Sequence, residues 1–146
     1  MGIVVAVSIG ERKGERKRPV QEARAIASLG IERDVHAEGT ERQVSLLMEE
    51  SIARMKEQGV SVGSGDFAEN IVTRGVDLKR LSVGDTIRIG NDCVLRVTRI
   101  GKECLSPCRI SRSVGYCIMP EEGVFCTVQR SGTLKGGDTV SLILRK

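Results

Sequence analysis

The densest group of reactive side chains in the sequence is Gly101-Lys102-Glu103-Cys104-Leu105-Ser106-Pro107-Cys108-Arg109-Ile110, followed by Cys117 and Cys126. A thiol beside Lys102 and Arg109 is drawn toward its thiolate by positive charge, and the thiolate is the form that attacks electrophiles and binds soft metals. Pro107 stiffens the loop between Cys104 and Cys108. Three chemistries compete for this group. Cys104, Cys108, Cys117 and Cys126 are the right ligand type for a zinc knot, although the later two are single cysteines where such sites usually supply a second close pair. Free cysteines are commonly small buried hydrophobes, and this ordinary reading is preferred for Cys93 and Cys126, each inside a strand-like run. The third chemistry is a single functional thiolate, at Cys104 or Cys108, that ligates a metal cofactor or carries sulfur.

A second candidate surrounds the one histidine of the chain, in Asp34-Val35-His36, with Glu38, Gly39 and Arg42-Gln43-Val44-Ser45-Leu46-Leu47 after it. A lone histidine is more often a satisfied structural residue than a ligand or base. Here it stands in a polar stretch, where His36, Asp34 and Arg42 would combine a proton donor with an anion-binding fork suited to a phosphate or oxo group. The third candidate is Gly65-Asp66-Phe67-Ala68-Glu69-Asn70-Ile71. Asp66, Glu69 and Asn70 read either as turn chemistry or as acceptor and amide groups for the edge of a pterin-like heterocycle.

These residues must be positioned by the surrounding elements. Gly2 to Ile9 is a continuous β-branched run, predicting a buried opening strand that ends at Gly10. Glu11 to Arg18 is almost entirely charged, so it reads as a solvated loop that buries nothing. An alternative is that Arg12, Lys13, Arg16, Lys17 and Arg18 form a basic rim attracting an anionic ligand. Met48 to Gln58 carries Met48, Ile52 and Met55 at helical spacing, with Glu49 and Glu50 at the start and Gly59 past the end, predicting a helix. The pattern then changes to short strands between glycine turns: Asn70 to Thr73, Thr86 to Ile89, Cys93 to Ile100, Gly123 to Arg130 and Thr139 to Leu144. Such punctuation predicts a compact barrel or sandwich. The stretches Leu81 to Ile89 and Leu134 to Leu142 share a Leu, a Gly-Asp-Thr turn and an alternating strand, and both read as structural parts of a barrel.

Composition bounds the answer further. A chain of 146 residues is enough for one domain with one continuous core, expected over residues 1–146. With two Phe, one Tyr and no Trp, that core must be built from aliphatic residues and Met. The 23 basic and 19 acidic residues leave a net charge of +4, a mixed surface without the stacking aromatics a nucleic-acid reader uses. No nucleic-acid partner is therefore expected. The apolar run at residues 3–9 is too short to cross a bilayer or to serve as an export signal, so no membrane association and a cytoplasmic location are expected. Five cysteines cannot all pair internally, and reduced thiols are the default.

Taken in order, these pieces resemble the MOSC family over nearly the whole chain. The matching features are the early strand, Gly30-Ile31 leading to Asp34 and His36, the run from Arg42 to Leu47, the run from Gly65 to Asn70, and Leu81 with Val83-Gly84-Asp85. Gly101-Lys102-Glu103-Cys104, Gly115-Tyr116-Cys117-Ile118-Met119-Pro120 and Gly136-Gly137-Asp138 follow. The resemblance implies a mainly β fold, a MOSC-type β-barrel with few short helices, and a pocket for molybdenum cofactor (molybdopterin), a pterin carrying a phosphate and a dithiolene. It implies a family cysteine at Cys104, with Cys108 the second choice, and no pyridoxal phosphate. This chain has Leu105 where small family members often have a histidine, Arg33 where they often have a glycine, and His36-Ala37-Glu38-Gly39 where they have His-Ala-Gly.

Three functions are consistent with this reading. In the first, the domain handles molybdenum cofactor or carries sulfur: Arg42 and neighbouring basic residues, Lys102 among them, hold the phosphate, Asp34, His36 and Asn70 line the ligand, and the Cys104 thiolate meets molybdenum or holds sulfane sulfur. Its partners would be cofactor-biosynthesis proteins or a molybdoenzyme, with a sulfurase or a redox partner. The second is a molybdenum-dependent reductase of N-hydroxylated compounds; it needs an external electron donor, since the sequence has no flavin, haem or iron-sulfur signature. The third is a metal-free interaction domain.

Overall fold

The computed structural model describes residues 1–12, 15–40, 42–59, 62–101 and 123–145. The β-branched opening run forms strand β1 (Gly2–Ile9), and three short strands follow: β2 (Arg18–Val20), β3 (Glu22–Ile26) and β4 (Gly30–Ile31). Next come β5 (Val44–Met48), helix α1 (Glu49–Glu57), β6 (Ile71–Arg74) and a 3-10 turn at Leu78–Arg80. The remaining strands are β7 (Thr86–Ile89), β8 (Cys93–Ile100), β9 (Val124–Arg130), β10 (Gly132–Lys135) and β11 (Thr139–Ile143).

Among the described residues, seven strands close into a barrel in the order β1-β6-β5-β9-β8-β7-β11, with β11 returning to β1. The fold is thus the mainly β barrel expected. Strands β5 and β6 pair in parallel, Leu46 opposite Ile71, and the other barrel pairings are antiparallel. A parallel pair cannot be joined by a hairpin, so α1 and the 63–70 turn occupy the crossover between them. Strand β2 extends the barrel alongside the end of β1, Val7 opposite Val20 and Ile9 opposite Arg18. Strands β10, β3 and β4 form a separate small sheet.

The core has two parts. Val4, Val7, Leu46, Ile71, Ile87, Leu95, Val97, Val128 and Val140 fill the barrel interior, while Leu47, Val72, Phe67 and Phe125 pack with Ile52 and Met55 of α1. All five residues of β5 are buried, because Leu46 faces one cluster and Leu47 the other. Such a strand loses the polar alternation by which strands are read. The helix runs as predicted, and Gly59 stops it in a left-handed conformation at φ +88°. The two Gly-Asp-Thr turns are structural: Asp85 accepts from Ser82 N at 2.7 Å, Asp138 accepts from Lys135 N at 3.0 Å, and the strands they open, β7 and β11, pair with each other.

One expectation is overturned. The charged stretch from Glu11 to Arg18 does bury a side chain: Lys17 is 4 % exposed. A buried opposite charge, described next, offsets the cost of removing its ammonium from water.

Candidate functional site

Where β1 ends, Gly10 N donates to Asp34 Oδ1 at 2.9 Å, and Val35 N donates to Gly10 O at 2.8 Å. These two bonds draw the segment after β4 against the barrel rim. Lys17 comes to the same place from the other side, its backbone N donating to Gly65 O at 2.8 Å. A Cβ on Gly65 would collide with the Lys17 carbonyl oxygen, and Gly65 also has φ +88°. Glycine is required there on both counts. Gly10 likewise leaves room for the Lys17 stem, whose Cγ would lie 2.9 Å from an added Cβ.

The result is a compact cluster. Lys17 Nζ donates to both oxygens of Asp34, at 2.9 and 3.0 Å, and lies 3.0 Å from His36 Nδ1. His36 N donates to Asp34 Oδ2 at 3.0 Å. The Lys17 and Asp34 side chains are fully buried, whereas His36 is 29 % exposed. Burial would raise the Asp34 pKa, but the polar groups around it, chief among them the charge and hydrogen bonds of Lys17 and the Gly10 N–H, hold the carboxyl well below the usual carboxylate range.

The tautomer of His36 follows from donor and acceptor bookkeeping. An ammonium can only donate, so the Nδ1 facing Lys17 must accept, and the ring proton sits on Nε2. In that state the 3.5 Å approach of Nδ1 to Asp34 Oδ2 is not a hydrogen bond, and Lys17 and Gly10 are what keep Asp34 ionised. Lys17 and Asp34 neutralise one another inside, and the partly exposed imidazole keeps Nε2–H as its free donor. That N–H can donate to an anionic or oxo oxygen.

The other predicted residues fall elsewhere. The Arg42 guanidinium lies over the Phe125 ring, 5.7 Å from its centroid, a cation–π contact that fixes it on β9. Asn70 is 1 % exposed. Its Oδ1 accepts from Ser45 N at 3.1 Å and its Nδ2 donates to Ser8 O at 3.0 Å, so its amide ties β1 to β5 at the start of β6. Glu69 holds the preceding turn, accepting from Gly65 N at 2.6 Å and Phe67 N at 3.1 Å, while Asp66 accepts from Gly63 N at 2.8 Å. Both carboxylates thus perform turn chemistry. Burial pushes the Glu69 pKa up to about 7 against the hydrogen bonds that lower it, with Asp66 adding to the rise. Cys93 and Cys126 are buried core thiols, as read, and burial pushes both thiols up, Cys93 to about 12. Lys102, Cys104, Cys108, Arg109 and Cys117 lie outside the described residues, so the thiolate and zinc readings fall there too. Among the described residues no three His, Cys, Asp or Glu side chains are grouped to hold a metal ion. No described helix is long and apolar enough to cross a membrane.

The residue that sequence reasoning missed is Lys17. In the sequence it reads only as part of a solvated charge run or basic rim, and the only hints of its role are the glycines at 10 and 65.

The protein is thus a small closed barrel in which a buried lysine–carboxylate pair holds a partly exposed imidazole. A family profile for the MOSC domain matches residues 33–141, and the chain belongs to this family. The solved YuaD protein of Bacillus subtilis is 19% identical, superposes with a TM-score of 0.81, and is matched over 100% of this chain and 98% of its own. YiiM of Geobacillus stearothermophilus is 18% identical with a TM-score of 0.74, covering 97% of this chain and 74% of its own. YiiM of Escherichia coli is 18% identical with a TM-score of 0.71, covering 100% and 71%. At these identities the likenesses show the fold. Comparison with curated proteins finds no match. MOSC domains are associated with molybdenum cofactor in general, and this chain is a molybdenum-cofactor-related domain in that sense.

Proposed function

We propose that this domain binds molybdenum cofactor, or carries sulfur for it, with the Cys104 thiolate as the reacting group and His36 as a donor to the ligand. The observation that carries the reading is the Lys17–Asp34 pair beside His36, whose ammonium occupies Nδ1 and leaves Nε2 as the donor of a partly exposed imidazole. A preset donor on a rim suits an oxygen-rich anionic ligand and needs no reorganisation on binding.

The described residues fit the periphery of such a cofactor better than its metal. His36 Nε2–H is a donor for oxo and phosphate oxygens, whereas a soft ligand for molybdenum would have to come from Cys104 or Cys108. When bound, the cofactor would supply redox and sulfur chemistry at molybdenum. The chain's own contribution is to hold its anionic groups and, through Lys17, to keep the His36 proton on the outer nitrogen.

Gly101 N donates to Gly123 O at 2.7 Å, so the described chain on the two sides of Cys104 and Cys108 meets at one point between β8 and β9. Partners of such a module would be cofactor-biosynthesis proteins or a recipient molybdoenzyme.

The test is anaerobic binding of molybdenum cofactor to the wild type, Cys104→Ser, Cys108→Ser and His36→Gln, with metal and pterin quantified together. Binding that is lost in Cys104→Ser, weakened in His36→Gln and kept in Cys108→Ser supports the reading. Retention of neither metal nor pterin by the wild type removes cofactor binding. Persulfide on one cysteine after treatment with a sulfurase would then support the carrier role, and its absence would leave an interaction domain.

A further inference from the structure

The side chains that flank the buried cluster face outward. Arg18 follows Lys17 and Arg33 precedes Asp34, and together with Arg24, Glu22 and Glu32 these two exposed arginines line a cleft of about 310 Å³ whose base includes Ile9. We propose that this cleft binds a small polyol phosphate.

Three separate segments converge to make it. Arg18 stands opposite Ile9 on β1, Arg24 lies within β3, and the turn after β4 is docked on Arg24 by the bond from Glu32 N to Arg24 O at 2.9 Å. Among the described residues no salt bridge holds any of the three arginines, although Glu22 and Glu32 line the same space. Their forked donors therefore stay available, and such forks match the oxygens of a phosphate. The backbone at Arg33 adds an independent sign. It has φ +72°, a left-handed conformation that glycine adopts without strain and that a long side chain rarely takes. Strain of this kind gathers at ligand sites, where the side chain is needed despite its backbone.

The carboxylates decide what kind of phosphate fits. Glu22 and Glu32 would repel a bare anion but accept hydrogen bonds from hydroxyl groups, so the favoured ligand carries both a phosphate and hydroxyls. A cleft of about 310 Å³ is at the small end of ligand sites and accommodates a phosphate on a short hydroxylated carbon chain. This inference does not depend on the molybdenum reading.

Titration calorimetry on the wild-type protein with glycerol 3-phosphate, inorganic phosphate and glycerol tests it, alongside flotation with vesicles of phosphatidylglycerol, since a phosphorylated polyol also occurs as a lipid headgroup. Saturable binding of glycerol 3-phosphate, tighter than inorganic phosphate and absent for glycerol, is expected. Arg24→Ala and Arg33→Gly should each weaken it about tenfold or more. Glycine suits the left-handed backbone, so Arg33→Gly should keep or raise the melting temperature, which separates lost binding from lost folding. Equal binding of the two phosphates, no saturable binding, indifference to Arg33→Gly, or capture by vesicles alone would each overturn the proposal.

Discussion

Among the described residues the Lys17 ammonium meets Asp34 and His36, and each makes a separate demand on it. For Asp34 it is the counter-charge: removing one member of a buried pair leaves the other charged and dry. Lys17→Met should therefore lower stability by about 3–5 kcal/mol, whereas Lys17→Met with Asp34→Leu should regain much of that loss. Urea denaturation of the three proteins would show it, and equal stabilities for the single and double variants would sink the idea. For His36 the lysine sets the tautomer. Nitrogen NMR of the imidazole should find the proton on Nε2 in the wild type and a loss of that preference in Lys17→Met. The Asp34 carboxyl, held below its ordinary value of 3.8, contributes stability above that pH and loses it as the solution is acidified further. Nothing in the residue types could have singled out Lys17, because it lies in a run of similar charges and its burial depends on a carboxylate distant in sequence. Asp34 and His36 were legible because a lone histidine beside an acid is conspicuous. Ala68 gives a simpler case: at φ +64° it is strained, and Ala68→Gly should stabilise the fold by about 1 kcal/mol in the same assay.

The turn between α1 and β6 links pH to the cluster, since Glu69 grips Gly65, and Gly65 O receives the Lys17 backbone. The Glu69 pKa is raised from 4.5 to about 7 on folding, so the folded state holds its proton more tightly than the unfolded chain. The stability this lends is complete below about pH 4.5 and is lost as the pH rises through 7, a change on the order of 3 kcal/mol. Chemical denaturation between pH 5 and 8 should therefore show a falling stability in the wild type and a flatter profile in Glu69→Gln; parallel profiles would refute the assignment. Elements bounded by glycine turns, such as β7 and β8, were legible to the residue, because alternation and punctuation agree there. Strand β5 was read for its polar neighbours, since burial on both faces erased its alternation. Strands β2 and β4 are too short to carry a pattern, and it is their pairing partners that make them strands.

For the molecule as a whole, the barrel and the order of its motifs could be read from the sequence, and so could the inertness of two thiols. Cys93 and Cys126 line the barrel core. A thiol-alkylating reagent at pH 8 should leave both unmodified in the folded protein and label them once denaturant is added, as site-resolved mass spectrometry would report; rapid labelling of either in the native state would contradict its placement. The burial of Lys17 and the crowding of arginines around the outer cleft were not legible, because both arise from segments that meet only after the barrel has formed. Closure of that barrel rests on β1 pairing with β11, which brings together residues as distant in sequence as Gly2 and Val140. The seam between its most distant strands carries the largest loop-closure cost, and until it forms β1 and β11 each present an open edge. At high concentration the first strand of one refolding chain can seal the ring of another, and refolding under such conditions should produce strand-exchanged dimers that dilute refolding avoids.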